Sequence, residues 1–531
     1  MRPRFSASRS LVARRAALAV LAAAFATLGT LALAGCAGEK SAPKVRVTWV
    51  AGRLEPAFDP DGPLDPTRAA LERLLSRGLL EQDSSGHIRY AAAERFSLSA
   101  DRLTLTFTLR PDLAYVDGTP CTSRDFALAL EAGLARRDHG SRRWLLQAVR
   151  GVDAVRLGRP LPPLGIATPT PHTLVLQLAR PDPLLPRKLT LPGVATAWKD
   201  RSPRLAWGDA RGLGPYRVAR DESGRRLILT HAARGVMARL LAGPDSIDVR
   251  FLIGTPRVRT ALRQAQADLV WPLPPGLLSE PLWPGYRVEE RDAAPARRLL
   301  LVFRADVPPL TKLPARHALA HALNRSDLVE ALGRGAVPVE PWLDGAPAFE
   351  YPRLDASEVS DWLARGDLGR SFHVTLAYDA DGAGAELARS LQGSWSRLNL
   401  YAELKPLRGE AALNEALGGQ SQALLVEAQP LMPGAAAELA SLVMPIRGPA
   451  VGSFRTGWRT REFDPWISGS ASAGPLDAGA AQGRLQEELV ALPLLRLPWR
   501  WVARGAAAPP GFDPKFGPEL AHWVASQPQT R

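Results

Sequence analysis

"LTLTFTLRPDLAYVDGTPCTSRDFALAL", residues 103–130, decides how the rest of the chain is read. Leu103, Leu105, Phe107 and Leu109 alternate with Thr104, Thr106, Thr108 and Arg110, the period-two pattern of a half-buried strand. Asp117-Gly118 supplies a turn in which glycine takes a positive φ. Thr122, followed three residues later by Asp125, predicts a helix start, with the hydroxyl accepting orphan amides and the carboxylate suiting the positive helix end. The stretch holds no nucleophile-and-base pair and no metal-ligand spacing. It reads as scaffold, and its purpose has to come from its surroundings.

Toward the N-terminus, Arg2, Arg4, Arg9, Arg14 and Arg15 precede an apolar stretch from Ala16 to Ala34, with no acidic residue among them. Small residues then lead to a lone cysteine in "LAGC", Leu33 to Cys36. This order predicts a signal peptide over residues 1–35, an uncleaved anchor being the alternative. The closing pattern resembles the lipobox of bacterial lipoproteins. That resemblance implies a lipidated Cys36, a short tether over 36–44, and a place in the cell envelope, periplasmic in a Gram-negative cell. Several acyl chains anchor durably where a single one is marginal.

Loss of residues 1–35 lowers the formal charge from +14 to +9. The remainder is basic, yet its arginines are interspersed with Asp and Glu and no basic run exceeds two residues. The expectation is a solvated basic exterior without nucleic-acid binding. With Cys36 lipidated, Cys121 is left without a disulfide partner and is expected to pack as a small apolar residue. About 500 mature residues exceed one core and imply two or three domains.

Strand and helix patterns alternate along that length. "SIDVRFLI" and "TPRVRTALRQAQADLVWPL" read as strand, helix, strand. "RRLLLVFRA" (297–305) is a buried strand before the helix of "PARHALAHALNRSDLVEALG", and "SFHVTLAYD", "AELARSLQGSWSRLNL" and "YAELKPL" repeat the theme. "LPLLRLPWRWVAR", Leu492 to Arg504, is apolar but too proline-broken for a helix. Two α/β lobes, each with its own sheet, are predicted.

Chemistry is sparse. His317 and His321 share a helix face, but a zinc hydrolase of the His-Glu-x-x-His kind needs a glutamate where Ala318 stands, so neither metal nor cofactor is expected. No Gly-x-Ser-x-Gly elbow and no Walker loop occurs. An exported hydrolase rests only on unpaired carboxylates and histidines. Tryptophans of the second half, Trp271 and Trp458 among them, suit the lining of a cleft, core packing being the alternative.

Residues 74–134 resemble the N-terminal signature of bacterial solute-binding proteins of the oligopeptide/dipeptide family, family 5. The shared marks are Gly78-Leu79, Asp83, Gly86, Phe107, Leu109-Arg110, Asp117-Gly118, Pro120 and Asp125-Phe126. "GLGPYRV" (212–218) is similar to the family's Gly-Thr-Gly-Pro-Tyr segment, and residues 314–339 to its second-lobe helix. "REFDPWI" (461–467) matches its Asn-x-x-Asp-x-Leu-Ile helix loosely. The resemblance implies an α/β, two-lobed periplasmic-binding-protein-like fold with an extra N-terminal subdomain and a two-strand hinge. Lobe I is expected over 45–75, 185–290 and 485–531, the extra subdomain over 76–184 and lobe II over 291–484. The hinge crossings are expected near 289–296 and 480–490.

The function so implied is a lipid-anchored, monomeric substrate-binding protein of an ABC importer, serving a membrane permease and its ATPase subunits. Its ligand would be an oligopeptide, a dipeptide or another small solute. An envelope lipoprotein that keeps the fold for sensing or protein binding is the alternative, and neither is an enzyme. Peptide-binding members hold the ligand's amine with an aspartate in a segment like Gly-Trp-x-x-Asp-Tyr-x-x-Pro. "LLVEAQPLMPGAAAEL", 424–439, takes that place and holds neither aspartate nor tryptophan. Glu427 is the nearest substitute carboxylate, with Gln429, Trp458 and Trp271 as further ligand-binding candidates; a solvent-facing strand glutamate is the other reading of Glu427.

Overall fold

The computed structural model describes residues 45–520 apart from short stretches that include 61–65, 136–143, 153–162, 278–282, 292–296, 444–449, 468–475 and 506–511. The expected signal peptide, Cys36 and the tether lie outside the described residues. From the N-terminal side the chain runs through β1 (Arg46–Ala51) and α1 (Pro66–Leu75) into a subdomain of β2 (Ala93–Leu98), β3 (Thr104–Leu109), α2 (Ser123–Ala135), β4 (Ile166–Thr170) and β5 (Thr173–Gln177). It then forms β6 (Tyr216–Asp221), β7 (Arg226–His231), β8 (Ser246–Phe251), α3 (Thr255–Arg263), β9 (Leu269–Val270) and β10 (Tyr286–Arg291). The next group is β11 (Arg297–Phe303), α4 (Leu313–His321), α5 (Arg325–Leu332), β12 (Val337–Pro338), α6 (Ala356–Arg365), β13 (Phe372–Asp379), α7 (Gly384–Ser396) and β14 (Leu400–Leu407). β15 (Ala423–Pro430), α8 (Ala435–Val443), α9 (Ala478–Glu488), β16 (Ala491–Leu497) and β17 (Trp499–Arg504) follow.

The strands sort into two mixed sheets and a smaller one. The lobe I sheet has the order β6–β7–β8–β1–β9–β17–β10, with β1 parallel to both β8 and β9. The lobe II sheet has the order β12–β16–β11–β15–β13–β14, and residues 450–451 pair with the end of β15. The subdomain sheet, β2–β3–β5–β4, is antiparallel. Each lobe buries its own apolar cluster, the strand β11 being buried along its whole length in lobe II.

Residues 103–130 behave as their pattern dictates. Leu105, Phe107 and Leu109 are buried, the intervening threonines are half-exposed, and Gly118 takes φ +87° in the turn. The helix start differs in one detail. The Asp125 carboxylate accepts both the Thr122 N–H (2.7 Å) and the Thr122 hydroxyl (2.8 Å), so the acid caps the turn and the hydroxyl donates. Cys121 is buried beside it.

The segment "GLGP" lies against the C-terminal end of α1, where the Gly214 N–H reaches the Leu75 carbonyl (3.0 Å) and the Leu213 N–H reaches Ser76 Oγ (3.2 Å). A Cβ on Gly214 would collide with the Leu74 carbonyl, which is why this approach needs glycine.

The lobes connect through two neighbouring crossings. The chain leaves the first sheet at Arg291 and enters the second at Arg297. It returns at Pro498, the single residue between β16 and β17, rather than near 480–490. Thus α9 and β16 stay with lobe II, and lobe I resumes only at Trp499. The physical reason lies in β16, which pairs with β11 although it contains Pro493. A register shift between Leu299 and Leu300 sits where Pro493 pairs, so the missing N–H falls at an irregularity of the ladder.

Candidate functional site

The site is built where the two sheets meet. Arg291 pairs with Trp499 as the last pair of lobe I, and Arg297 pairs with Leu497 as the first of lobe II. Arg297 and Arg298 open an otherwise apolar strand and, as neighbours on a strand, point to opposite faces.

Arg297 forms a two-point fork on Glu427, with Nη2 2.8 Å from Oε2 and Nε on Oε1. Its guanidinium lies over the Trp499 ring, 4.3 Å from the centroid, so one side chain joins a lobe II carboxylate to a lobe I indole across the crossing. The Arg297 side chain is 9% exposed and that of Glu427 38%. The carboxylate therefore faces solvent at the hinge end of the lobe II sheet but already carries a cation. Behind Trp499 stand Trp271, at 5.8 Å between ring centroids, and Trp49, 6.2 Å further on, whose Nε1–H donates to the Trp271 carbonyl (2.9 Å).

The four ligand candidates separate. Glu427 and Gln429 lie two apart on β15, the same face of the sheet, with Gln429 buried where the backbone pairs with Val451. Trp458 is half-buried against the lobe II core and packs edge-on against Phe463 at 6.3 Å. Trp271 is fully buried in the lobe I core, packed on Trp499 at the hinge. Among the described residues His317 and His321 form no metal cluster. His317 stacks on Trp362 at 4.1 Å, and both imidazoles are engaged by backbone carbonyls, of Glu487 (3.2 Å) and Arg353 (3.3 Å).

Past Gln429 the chain reaches toward the other lobe. Met432, Ala437 and Ala440 belong to the apolar cluster of the subdomain, together with Leu191 and Leu213. Leu439, Leu442 and Val443, on the same helix α8, belong to the lobe II cluster. Residues 432–443 thus carry an apolar contact between the subdomain and lobe II.

On the far face of β11, Arg298 donates to Glu438 (3.0 Å) and to the Trp342 carbonyl. Glu438 also accepts the Asp344 N–H (2.5 Å), and Gln482 accepts the Trp342 N–H (2.7 Å) and donates to the Pro347 carbonyl (2.9 Å). Burial raises the Glu438 carboxyl above its ordinary value, against the pull of Arg298 and the Asp344 amide.

Arg297 and Trp499 were not among the residues expected from the sequence. A signal was present, because two arginines opening a run of buried apolar residues require carboxylate partners. Their partners lie about 130 and 140 residues away, and no local pattern names them.

The sequence profile of the bacterial extracellular solute-binding proteins, family 5 Middle, matches residues 87–442, well over half of the chain. The periplasmic oligopeptide-binding protein OppA of Escherichia coli (strain K12) is 30% identical over 190 residues, 35% of this chain and 34% of that protein, so the match spans about a third of the relative's length. Haemophilus influenzae OppA, solved in complex with RPPGFSPFR, has a TM-score of 0.77 at 16% identity and covers 90% of this chain and 98% of its own. AgaA from A. tumefaciens R10, solved with agropinic acid, has a TM-score of 0.71 at 17% identity over 90% of this chain and 96% of its own. The solved structures share the two-lobed fold, and the relatives are solute-binding proteins rather than enzymes. By the extent of the profile match, this chain belongs to the bacterial extracellular solute-binding proteins of family 5.

Proposed function

We propose that this chain is the substrate-binding component of an ABC importer, exported and lipid-anchored through Cys36, that captures a peptide-sized solute between its lobes. The observation that carries the reading is the family match over 87–442 on a chain whose two sheets are joined by two neighbouring crossings. Such a hinge lets a ligand touching both lobes favour the closed state by what it gains there over the open one. Two fold relatives, one solved with a nonapeptide and one with agropinic acid, support a small organic solute, peptide or not.

The engagement of Glu427 by Arg297 favours a solute other than a free-amine peptide as the second reading. Thermal unfolding of the full chain in detergent, with peptide and non-peptide solute libraries, tests both. A ligand at 100 times its Kd adds about 2.7 kcal/mol to native stability and raises Tm accordingly. No shift with any solute overturns the transport reading and leaves the envelope lipoprotein that senses or binds protein. Lipidation is read separately, since Cys36→Ser is expected to abolish incorporation of labelled fatty acid.

A further inference from the structure

Helix α8 is fixed to lobe II on one side and meets the subdomain on the other. Gly434, at φ +111°, turns the chain out of β15, and its carbonyl accepts the Ala437 (3.0 Å) and Glu438 (3.1 Å) N–H groups that open the helix. Glu438 then ties the helix to lobe II, its carboxylate accepting from Arg298 (3.0 Å) and from the Asp344 N–H (2.5 Å). Leu439, Leu442 and Val443 enter the lobe II core beside it. Ala437 and Ala440 lie three apart, on one helical face, and join Met432 in the subdomain cluster instead. Ala437 is 5% exposed, Ala440 0% and Met432 2%. Parting the lobes would return these apolar surfaces, and the subdomain residues they cover, to water, so the contact opposes opening. It is made of the chain's own residues and needs no solute to form.

We propose that α8 is a clasp between lobe II and the subdomain, which holds the empty chain mostly closed. A solute then supplies only the remainder of the free energy of closure. The inference rests on the lobes moving about their two crossings, part of the reading above, and is independent of which solute is bound.

Spin labels at Glu94→Cys in the subdomain and Glu403→Cys in lobe II, both exposed positions, read the interlobe distance in the full chain in detergent, without solute and against the singly labelled chains. Wild type is expected to give mainly the short distance of the clasped arrangement. Ala440→Glu buries a charge in the contact and Met432→Ala trims it. Each is expected to raise the ratio of long to short distances by about tenfold or more. Leu439→Ala, on the lobe II face of the same helix, is expected to lower the unfolding midpoint and leave the distance as in wild type. If Ala440→Glu does not fold, Met432→Ala against Leu439→Ala carries the comparison. A long distance in wild type, a distance that neither variant moves, or an equal shift in Leu439→Ala overturns the clasp, whatever solute the chain binds. A chain that binds no solute yet opens in Met432→Ala keeps the clasp and loses the transport reading.

Discussion

Arg297 and Arg298 are adjacent in sequence and equally close to the hinge, and they do different work. Both are buried, and both hold a glutamate more than a hundred residues away. Arg298 meets Glu438, whose side chain is 3% exposed, inside a network that ties the loop at Trp342–Asp344 to α8 and α9. Arg297 meets a glutamate that is 38% exposed and sits where the lobes part. The chemistry of the pairs is the same, and the surroundings of the carboxylate assign the role. A pair closed on every side can only hold the fold, whereas a pair open on one side can meet a solute.

The largest expected effect breaks the closed pair. Arg298→Met strands the Glu438 carboxylate in the core and should cost about 3–5 kcal/mol in denaturant unfolding. Arg297→Met should cost less, about 1–2 kcal/mol, because water screens the exposed carboxylate and part of the loss is the contact with Trp499. Equal losses from the two variants would erase the distinction between them.

The contrast sharpens with pH. The folded chain binds the Glu438 proton more tightly than the unfolded chain does, so stability should fall as pH rises from about 4.5 through the raised folded value. The slope is at most about 1.4 kcal/mol per pH unit for one proton. In Glu438→Gln this fall should be absent from melting curves collected across the acid range. Smallest of all is the expected response of Cys121 to a thiol reagent. Burial pushes its thiol up to about 12 and the side chain is 2% exposed, so the native chain should label only on unfolding. Prompt labelling at neutral pH would show the subdomain core around residues 103–130 to be less closed than described.

Local physics was readable in advance where it is short-range. The alternation Leu105, Phe107, Leu109, the turn at Asp117-Gly118 and the helix start at Thr122 each depend on residues within a few positions of one another. The family's marks, being runs of such local features, carried the two-lobed architecture with them. The return crossing was not legible. "LPLLRLPWRWVAR" is apolar apart from Arg496, Arg500 and Arg504, which fall on both sides of the crossing, so nothing in its pattern separates the strand that serves lobe II from the strand that serves lobe I. Its two prolines look alike in sequence, yet Pro493 sits at a ladder irregularity and Pro498 makes the crossing. At the site, Glu427 could be picked out as a carboxylate near the right place, but its cation lies 130 residues upstream. Trp271 shows the converse limit, since a large aromatic suits a cleft wall and a core equally, and only the packing of Trp49 and Trp499 around it places it inside.

A pivot one residue thick has mechanical consequences. Pro498 holds its own φ near –65° and donates no amide, so on this side bending falls on its ψ and on the torsions of Leu497 and Trp499. Both belong to strands locked in opposite sheets. On this side the joint leaves the halves little room to slide past each other, which favours a swing about the crossing. Trp499, at the root of that swing and under the Arg297 guanidinium, would register any rotation as a change in indole fluorescence.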